Sequence, residues 1–162
     1  MIIVEEYAKK NIRPAIEIWN EVVRAGIAFP QEDELNEITG DEFFSAQSFT
    51  GLAKDDSTGE ILALYILHPN NVGRCGHISN ASYAVRSDVR GRHIGEIIVK
   101  HSIQTAREFG FKILQFNAVV AENIHARNLY RRLGFTELGT IPKGFRMPNG
   151  TFADIVPQYL IL

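Results

Sequence analysis

The segment Val85-Arg86-Ser87-Asp88-Val89-Arg90-Gly91-Arg92-His93-Ile94-Gly95 constrains this chain most. It joins a strand-like stretch, His77–Arg86 (HISNASYAVR), to a helical pattern over Ile94–Phe109. There Ile94, Ile97, Ile98, Ser102, Ala106 and Phe109 recur on one face before Gly110 ends the run. A strand that turns directly into a helix presents the helix's first amides, unpaired and at the positive end of its dipole, so the turn is suited to a pyrophosphate. Gly91 and Gly95 allow close main-chain approach, and Arg90 and Arg92 add positive charge. No Gly-Lys-Ser/Thr follows, and the two glycines lie four apart, so neither a triphosphate loop nor a dinucleotide fingerprint is present. A tight connection with solvated arginines reads equally well from this turn alone, and a second motif has to decide.

That motif is Asn123-x-x-Ala126-x-x-Leu129-Tyr130-x-x-x-Gly134-Phe135. Steps of three and four place Asn123, Ala126 and Tyr130 on one helix face, presenting an amide, a small residue and a phenol. A tyrosine beside a leucine on a helix is alone an ordinary core residue. Together the two motifs resemble the GNAT acetyltransferase superfamily, with Arg90-Gly91-Arg92-His93-Ile94-Gly95 as its acetyl-CoA loop and the Asn123–Phe135 segment as the helix after it. The likeness covers roughly residues 77–135 and departs where His93 stands for the middle glycine, which requires a main-chain conformation open to a non-glycine residue.

The resemblance implies acetyl-CoA as cofactor, with its pyrophosphate on the amides of Arg90, Gly91, Arg92, His93, Ile94 and Gly95. It implies that the main chain near Val85 pairs with pantetheine as an added strand, and that an N–H near Ala84 or Val85 meets the acetyl oxygen. Asn123 would hold the cofactor's arm, and Tyr130 would give a proton to the departing thiolate. Relatives of the phosphinothricin acetyltransferase type carry a glutamate as base where this chain has Asn80. An amide is no base, so either a water relay reaches another group, with His77 and Asp154 as candidates, or the substrate arrives deprotonated. Asn80, Asn117 with its neighbour Ala118, and the tail IPKGFRMPNGTFAD resemble the branch related to azetidine-2-carboxylate acetyltransferases. Amides at Asn80 and Asn117 on adjacent strands offer N–H donors to an amino-acid carboxylate, and Lys143 and Arg146 offer cations at its mouth.

The expected fold is mixed α/β (α+β), the GNAT-like acyltransferase architecture: a mostly antiparallel sheet of about seven strands with about four helices. Locally, Ile2–Glu6 reads as a strand, and Pro14, Ile16, Trp19, Val22 and Val23 up to Gly26 read as a first helix. Thr39 with Glu42 reads as a capping box opening a short second helix. Phe49–Lys54 and Ile61–His68 form a hairpin; Lys112–Val120 is a strand, Asn123–Leu133 a helix, and Phe135–Ile141 and Thr151–Leu160 are final strands around Asn149-Gly150. No linker or repeat divides residues 1–162, so a single domain is expected.

Composition narrows the function further. The chain has 162 residues, 45% hydrophobic and 22% charged, ordinary for a soluble domain able to bury a core. The lone Cys75 suits a reducing interior, no Cys/His cluster has metal-ligand spacing, and the longest apolar run, Ile61–Leu67, is far short of a membrane span. No basic leader is visible, and the expected home is cytoplasmic. Net charge is -2, but residues 1–60 hold 13 acids against 5 Lys/Arg and the remainder 6 against 12, as a second half facing an anion would. The basic residues sit in the loop and a helix rather than on an aromatic sheet, so nucleic acid is not the expected partner. The reading is acetyl transfer to the amine of a small molecule, an amino acid or its analogue. The alternatives are a protein N-terminus or lysine as acceptor, and a CoA-binding sensor without catalysis. A homodimer follows by resemblance only, and the apolar ending DIVPQYLIL reads equally as an exchanged, a paired or a core strand.

Overall fold

The computed structural model describes all residues, 1–162. The chain runs β1 (Ile2–Glu6), α1 (Ile12–Ala25), α2 (Glu37–Ser45), β2 (Phe49–Asp55), β3 (Ile61–Pro69), β4 (Ile78–Val85), α3 (Ile94–Glu108), β5 (Ile113–Phe116) and α4 (Ile124–Arg132). It ends with β6 (Thr136–Glu137), β7 (Ile141–Arg146), β8 (Phe152–Ile155) and β9 (Gln158–Ile161). Seven strands form one sheet in the order β1-β2-β3-β4-β5-β9-β6, and β7 and β8 form a separate hairpin. Within the sheet only β4 and β5 run parallel. This is the expected architecture. No helix is long and apolar enough to cross a membrane.

The alternation of β3 explains why its apolar run is continuous. Leu64 and Ile66 pack with Ile18, Trp19 and Phe44 of α1 and α2, whereas Ala63, Tyr65 and Leu67 pack with Ile94, Ile98 and Ala106 of α3 on the other face. Gly26 closes α1 in the left-handed region, φ 66°, and its N–H returns to the Val22 carbonyl. Trp19 then packs against Phe29, tilted by 35° with ring centroids 4.3 Å apart, which folds the segment after α1 back over the sheet. Asn20 secures the acidic segment beyond it, donating to the Leu35 carbonyl and accepting the Leu35 N–H.

Four local expectations are corrected. The capping box of α2 is Asn36 with Thr39, not Thr39 with Glu42, because Asn36 Oδ1 takes the N–H groups of Ile38 and Thr39 while Thr39 takes the Asn36 N–H. Phe109 lies past the end of α3 and is 52% exposed rather than part of its buried face. The strand expected over Lys112–Val120 ends at Phe116, since the chain beyond it bends away from β4. The final two strands are four: Asn149-Gly150 turns β7 into β8, while β6 and β9 belong to the main sheet. There β9 pairs within this chain, between β5 and β6, as a core strand.

Candidate active site

β4 and β5 meet at only two register positions, Ile78 with Ile113 and Ser79 with Leu114, and then separate. Asn80 marks the split, donating from Nδ2 to the Gln115 carbonyl at 2.8 Å where the next ladder position would be. On its other side β4 stays paired with β3 along its whole length. The Asn70 N–H reaches the Ile78 carbonyl and the Arg86 N–H the Leu62 carbonyl. Antiparallel alternation therefore directs the main-chain groups of even-numbered β4 residues to β3 and those of Ala81, Tyr83 and Val85 to the open edge. The amide of Ala84 is thus committed to β3, and Val85 is the one of the expected pair that can offer a donor at that edge.

The separation opens a cavity of about 270 Å³. Its walls are β4 at Asn80–Tyr83, the segment Phe116–Val120, and Asn123, Ala126 and Tyr130 on one face of α4; Ala28–Pro30 covers one end. Four residues expected at the site, Asn117, Ala118, Asn123 and Tyr130, therefore join Asn80 in one place. Asn123 caps α4, its Oδ1 accepting the Ala126 N–H at 3.2 Å, which leaves its amide nitrogen free to donate. Asn117 lies in a row of amides: Gln115 donates to Asn117, and Asn117 donates to Asn70 at 2.7 Å.

Below the open edge lies the turn. Gly91 has φ 83°, and His93 has φ 59° and ψ 18°, the left-handed region that a glycine would occupy without strain. The main-chain N–H groups from Arg90 to Glu96 donate to no protein acceptor, the first bond of α3 being that of Ile97 to the His93 carbonyl. Arg90, Arg92 and His93 are exposed, and Arg86 is held by Asp88 through two 2.7 Å bonds. A row of unpaired amides at the start of a long helix, flanked by two free guanidinium groups, fits a pyrophosphate.

Tyr130 packs between Phe116 at 4.6 Å and Phe135 at 5.6 Å, and its hydroxyl meets no protein partner. Burial raises its pKa well above the ordinary range, so the phenol stays protonated. Tyr83 is raised as well, by burial first and by the nearby Tyr130 second, but its hydroxyl is engaged with Ser102 at 2.7 Å. Of two neighbouring phenols, only Tyr130 has a proton to give into the cavity.

The acetyltransferase (GNAT) family model matches residues 15–135, most of the chain. The chain belongs to the GNAT acetyltransferase family. It is 29% identical over 143 residues to the N-acetyltransferase aca1 of Schizosaccharomyces pombe, covering 79% of this chain and 68% of that protein. A GCN5-related N-acetyltransferase from Kribbella flavida superposes with a TM-score of 0.90 at 28% identity, over 99% of this chain and 98% of that one. A GNAT superfamily phosphinothricin acetyltransferase from Sinorhizobium meliloti, solved with acetyl-CoA, shares the fold, with a TM-score of 0.90 at 18% identity over 99% and 88%.

In this GNAT chain two expected relay residues lie outside the cavity. Asp154 is exposed on the β7–β8 hairpin and accepts the Lys143 N–H, and His77 is exposed at the start of β4. Arg146 pairs with Glu32 and is no free cation. Conversely, Ala28–Pro30, Ser82 and Gln115 belong to the site although no motif marks them. Ser82 was findable, two positions from Asn80 on the same strand face. The other two reach the site through the Trp19–Phe29 contact and the strand split, for which no local pattern exists.

Proposed function

We propose that this GNAT protein transfers the acetyl group of acetyl-CoA to the amine of a small molecule, an amino acid or amino-acid analogue of the azetidine-2-carboxylate or phosphinothricin type. The observation that carries the reading is continuity. Unpartnered amides from Arg90 to Glu96 lead into the open edge of β4, and that edge leads into the cavity holding Tyr130. Arg90, Gly91, Arg92, His93, Ile94 and Gly95 would hold the pyrophosphate, and Ala81, Tyr83 and Val85 would pair with the pantetheine arm as an added strand. Asn123 would donate to that arm. The thioester supplies an activated acyl carbon. A free N–H at the open edge steadies the charge that grows on the carbonyl oxygen, and Tyr130 gives its phenolic proton to the departing sulfur. Asn80, Asn117 and Ala118 face the acceptor. A cavity this small favours a small acceptor over a folded protein surface. The resemblance carries a homodimer with it, which light scattering checks.

The test uses the purified protein with acetyl-CoA. At a hundredfold excess over Kd the cosubstrate adds about 2.7 kcal/mol to stability, a clear rise in melting temperature. Mass spectrometry of a mixture of free amino acids, azetidine-2-carboxylate, phosphinothricin and peptides then identifies what gains an acetyl group. Acetylated free amines support the proposal, and acetylation confined to peptides replaces its acceptor half. No stabilisation by acetyl-CoA overturns it.

A further inference from the structure

A carbonyl oxygen only accepts hydrogen bonds, so the bond from Asn80 Nδ2 to the Gln115 carbonyl fixes the polarity of that amide. Its nitrogen faces β5, and Oδ1, which no protein donor meets, is the end left for a ligand. That end suits an amine N–H and repels a carboxylate, so Asn80 meets the amine of an amino acid and not, as the sequence led one to expect, its carboxylate. The cavity around it is equally selective: none of its 15 lining residues is Asp, Glu, His, Lys or Arg. Its only titratable groups are the phenols of Tyr83 and Tyr130, both kept neutral by burial.

Most charged groups on the surrounding elements are engaged elsewhere, and those that are not, Asp33 beyond the covering segment, Glu122 and His125 beside Asn123, and Lys143 on the hairpin, are exposed and absent from the cavity wall. Glu32, beyond the covering segment, pairs with Arg146, and Glu34 with Arg24. Arg127 of α4 is held by Glu137 and the Ala121 carbonyl, and Asp154 of the hairpin by the Lys143 N–H. On β3 the residue opposite Asn80 is His68, which gives its Nδ1–H to the Pro69 carbonyl and is absent from the cavity wall. An ammonium entering such a cavity gives up its hydration and receives no anion in return.

We infer that the acceptor nitrogen enters this cavity as a neutral amine, donating an N–H to Asn80 Oδ1 and turning its lone pair to the acetyl carbon, so that of each acceptor the site takes only the deprotonated form. This rests on the acetyl-transfer reading above. The N–C bond forms as the C–S bond breaks; sulfur leaves with the electron pair and takes the Tyr130 proton. The proton shed by the nitrogen restores the phenol, so no separate base is needed.

Three small amines of descending basicity test it: ethylamine, glycinamide and aminoacetonitrile, each as acceptor with saturating acetyl-CoA. The expected result is that kcat/KM rises with pH to a plateau whose midpoint follows the pKa of each amine. A single midpoint shared by all three would show that a group of the enzyme, such as His68, removes the proton, and would overturn the inference. Acetyl-CoA stabilisation without acetylation of any of the three overturns it too, whereas no response to acetyl-CoA defeats the acetyl-transfer reading itself. Asn80→Ala is expected to lower kcat/KM for all three by about tenfold with acetyl-CoA affinity unchanged; an unaltered value removes Asn80 from the assignment.

Discussion

Tyr130 is the residue whose chemistry is most exposed to test, because its hydroxyl meets no protein partner although its ring is packed on several sides. Removing that oxygen therefore breaks no internal hydrogen bond. Tyr130→Phe is expected to keep the stability of the parent within about 0.5 kcal/mol. It is also expected to keep the affinity for acetyl-CoA while lowering kcat by roughly a hundredfold or more, the range general acid catalysis supplies. Denaturant unfolding, cosubstrate titration and turnover on one sample separate these outcomes, and a loss of stability in step with activity would make the phenol structural. His93 poses a backbone question instead. At φ 59° a β-branched side chain clashes with its own main chain, so His93→Val is expected to unfold about 1–2 kcal/mol more easily than His93→Gly in urea. The helix face of Tyr130 was legible from spacing, a local pattern, while its role and the demand placed on His93 came from the family resemblance. The polarity of Asn80 was not legible, because its partner Gln115 lies 35 positions away and only the strand split brings the two together.

Elements show the same division between local and non-local causes. α1, α3 and α4 stood out because a 3.6-residue period and a terminal glycine are written within one segment. β5 looked longer than it is, since apolar residues continue to Val120 but face the cavity and the β7–β8 hairpin rather than a neighbouring strand. Gly51 in β2 illustrates the point in one residue. An isolated glycine within a strand pattern suggests a bulge. Here it stands opposite Tyr65 of β3, and a Cβ at this position would lie 2.3 Å from the Tyr65 ring. The ring fills that space because its hydroxyl reaches over to α3, bonding His101 at 2.8 Å and Thr105 at 3.0 Å. Glycine-to-alanine in a strand ordinarily stabilises by about 0.5–1 kcal/mol. Gly51→Ala is expected to destabilise by about 1–3 kcal/mol, because Tyr65 is wholly buried and has to give up those bonds to move. Chemical denaturation reads the sign directly, and a gain in stability would refute the account of the glycine.

For the whole molecule, the acidic first part and the basic remainder turn out to be joined rather than opposed, by Arg86 with Glu60 and Arg146 with Glu32, while Arg90 and Arg92 remain free at the turn. The charge imbalance and the two arginines of the turn were legible in the sequence; which of the cations are tied to carboxylates is a property of the fold. Stability against pH is likewise a property of the whole chain, and two sets of buried or half-buried groups bound it. Burial holds the His101 pKa below its ordinary 6.5, so the unfolded chain takes up this proton more readily than the folded one. The His101 contribution is therefore complete above 6.5 and is lost as pH falls through that value toward the lower folded pKa. Tyr65, Tyr83 and Tyr130 are raised above 10, mainly by burial, so their contribution is complete below 10 and is lost as pH climbs beyond it. Solvent-accessible carboxylates lowered by ion pairs, such as Glu96 beside Lys100 and Arg132, act only at still lower pH and weakly, being screened by solvent. The melting temperature is expected to be flat between these limits and to fall on both sides. In His101→Asn, which keeps a polar partner for Tyr65 without a titrating ring, the acid limb should shrink while the alkaline limb stays in place. An acid limb of unchanged size in that variant would move the cause away from the Tyr65–His101–Thr105 cluster.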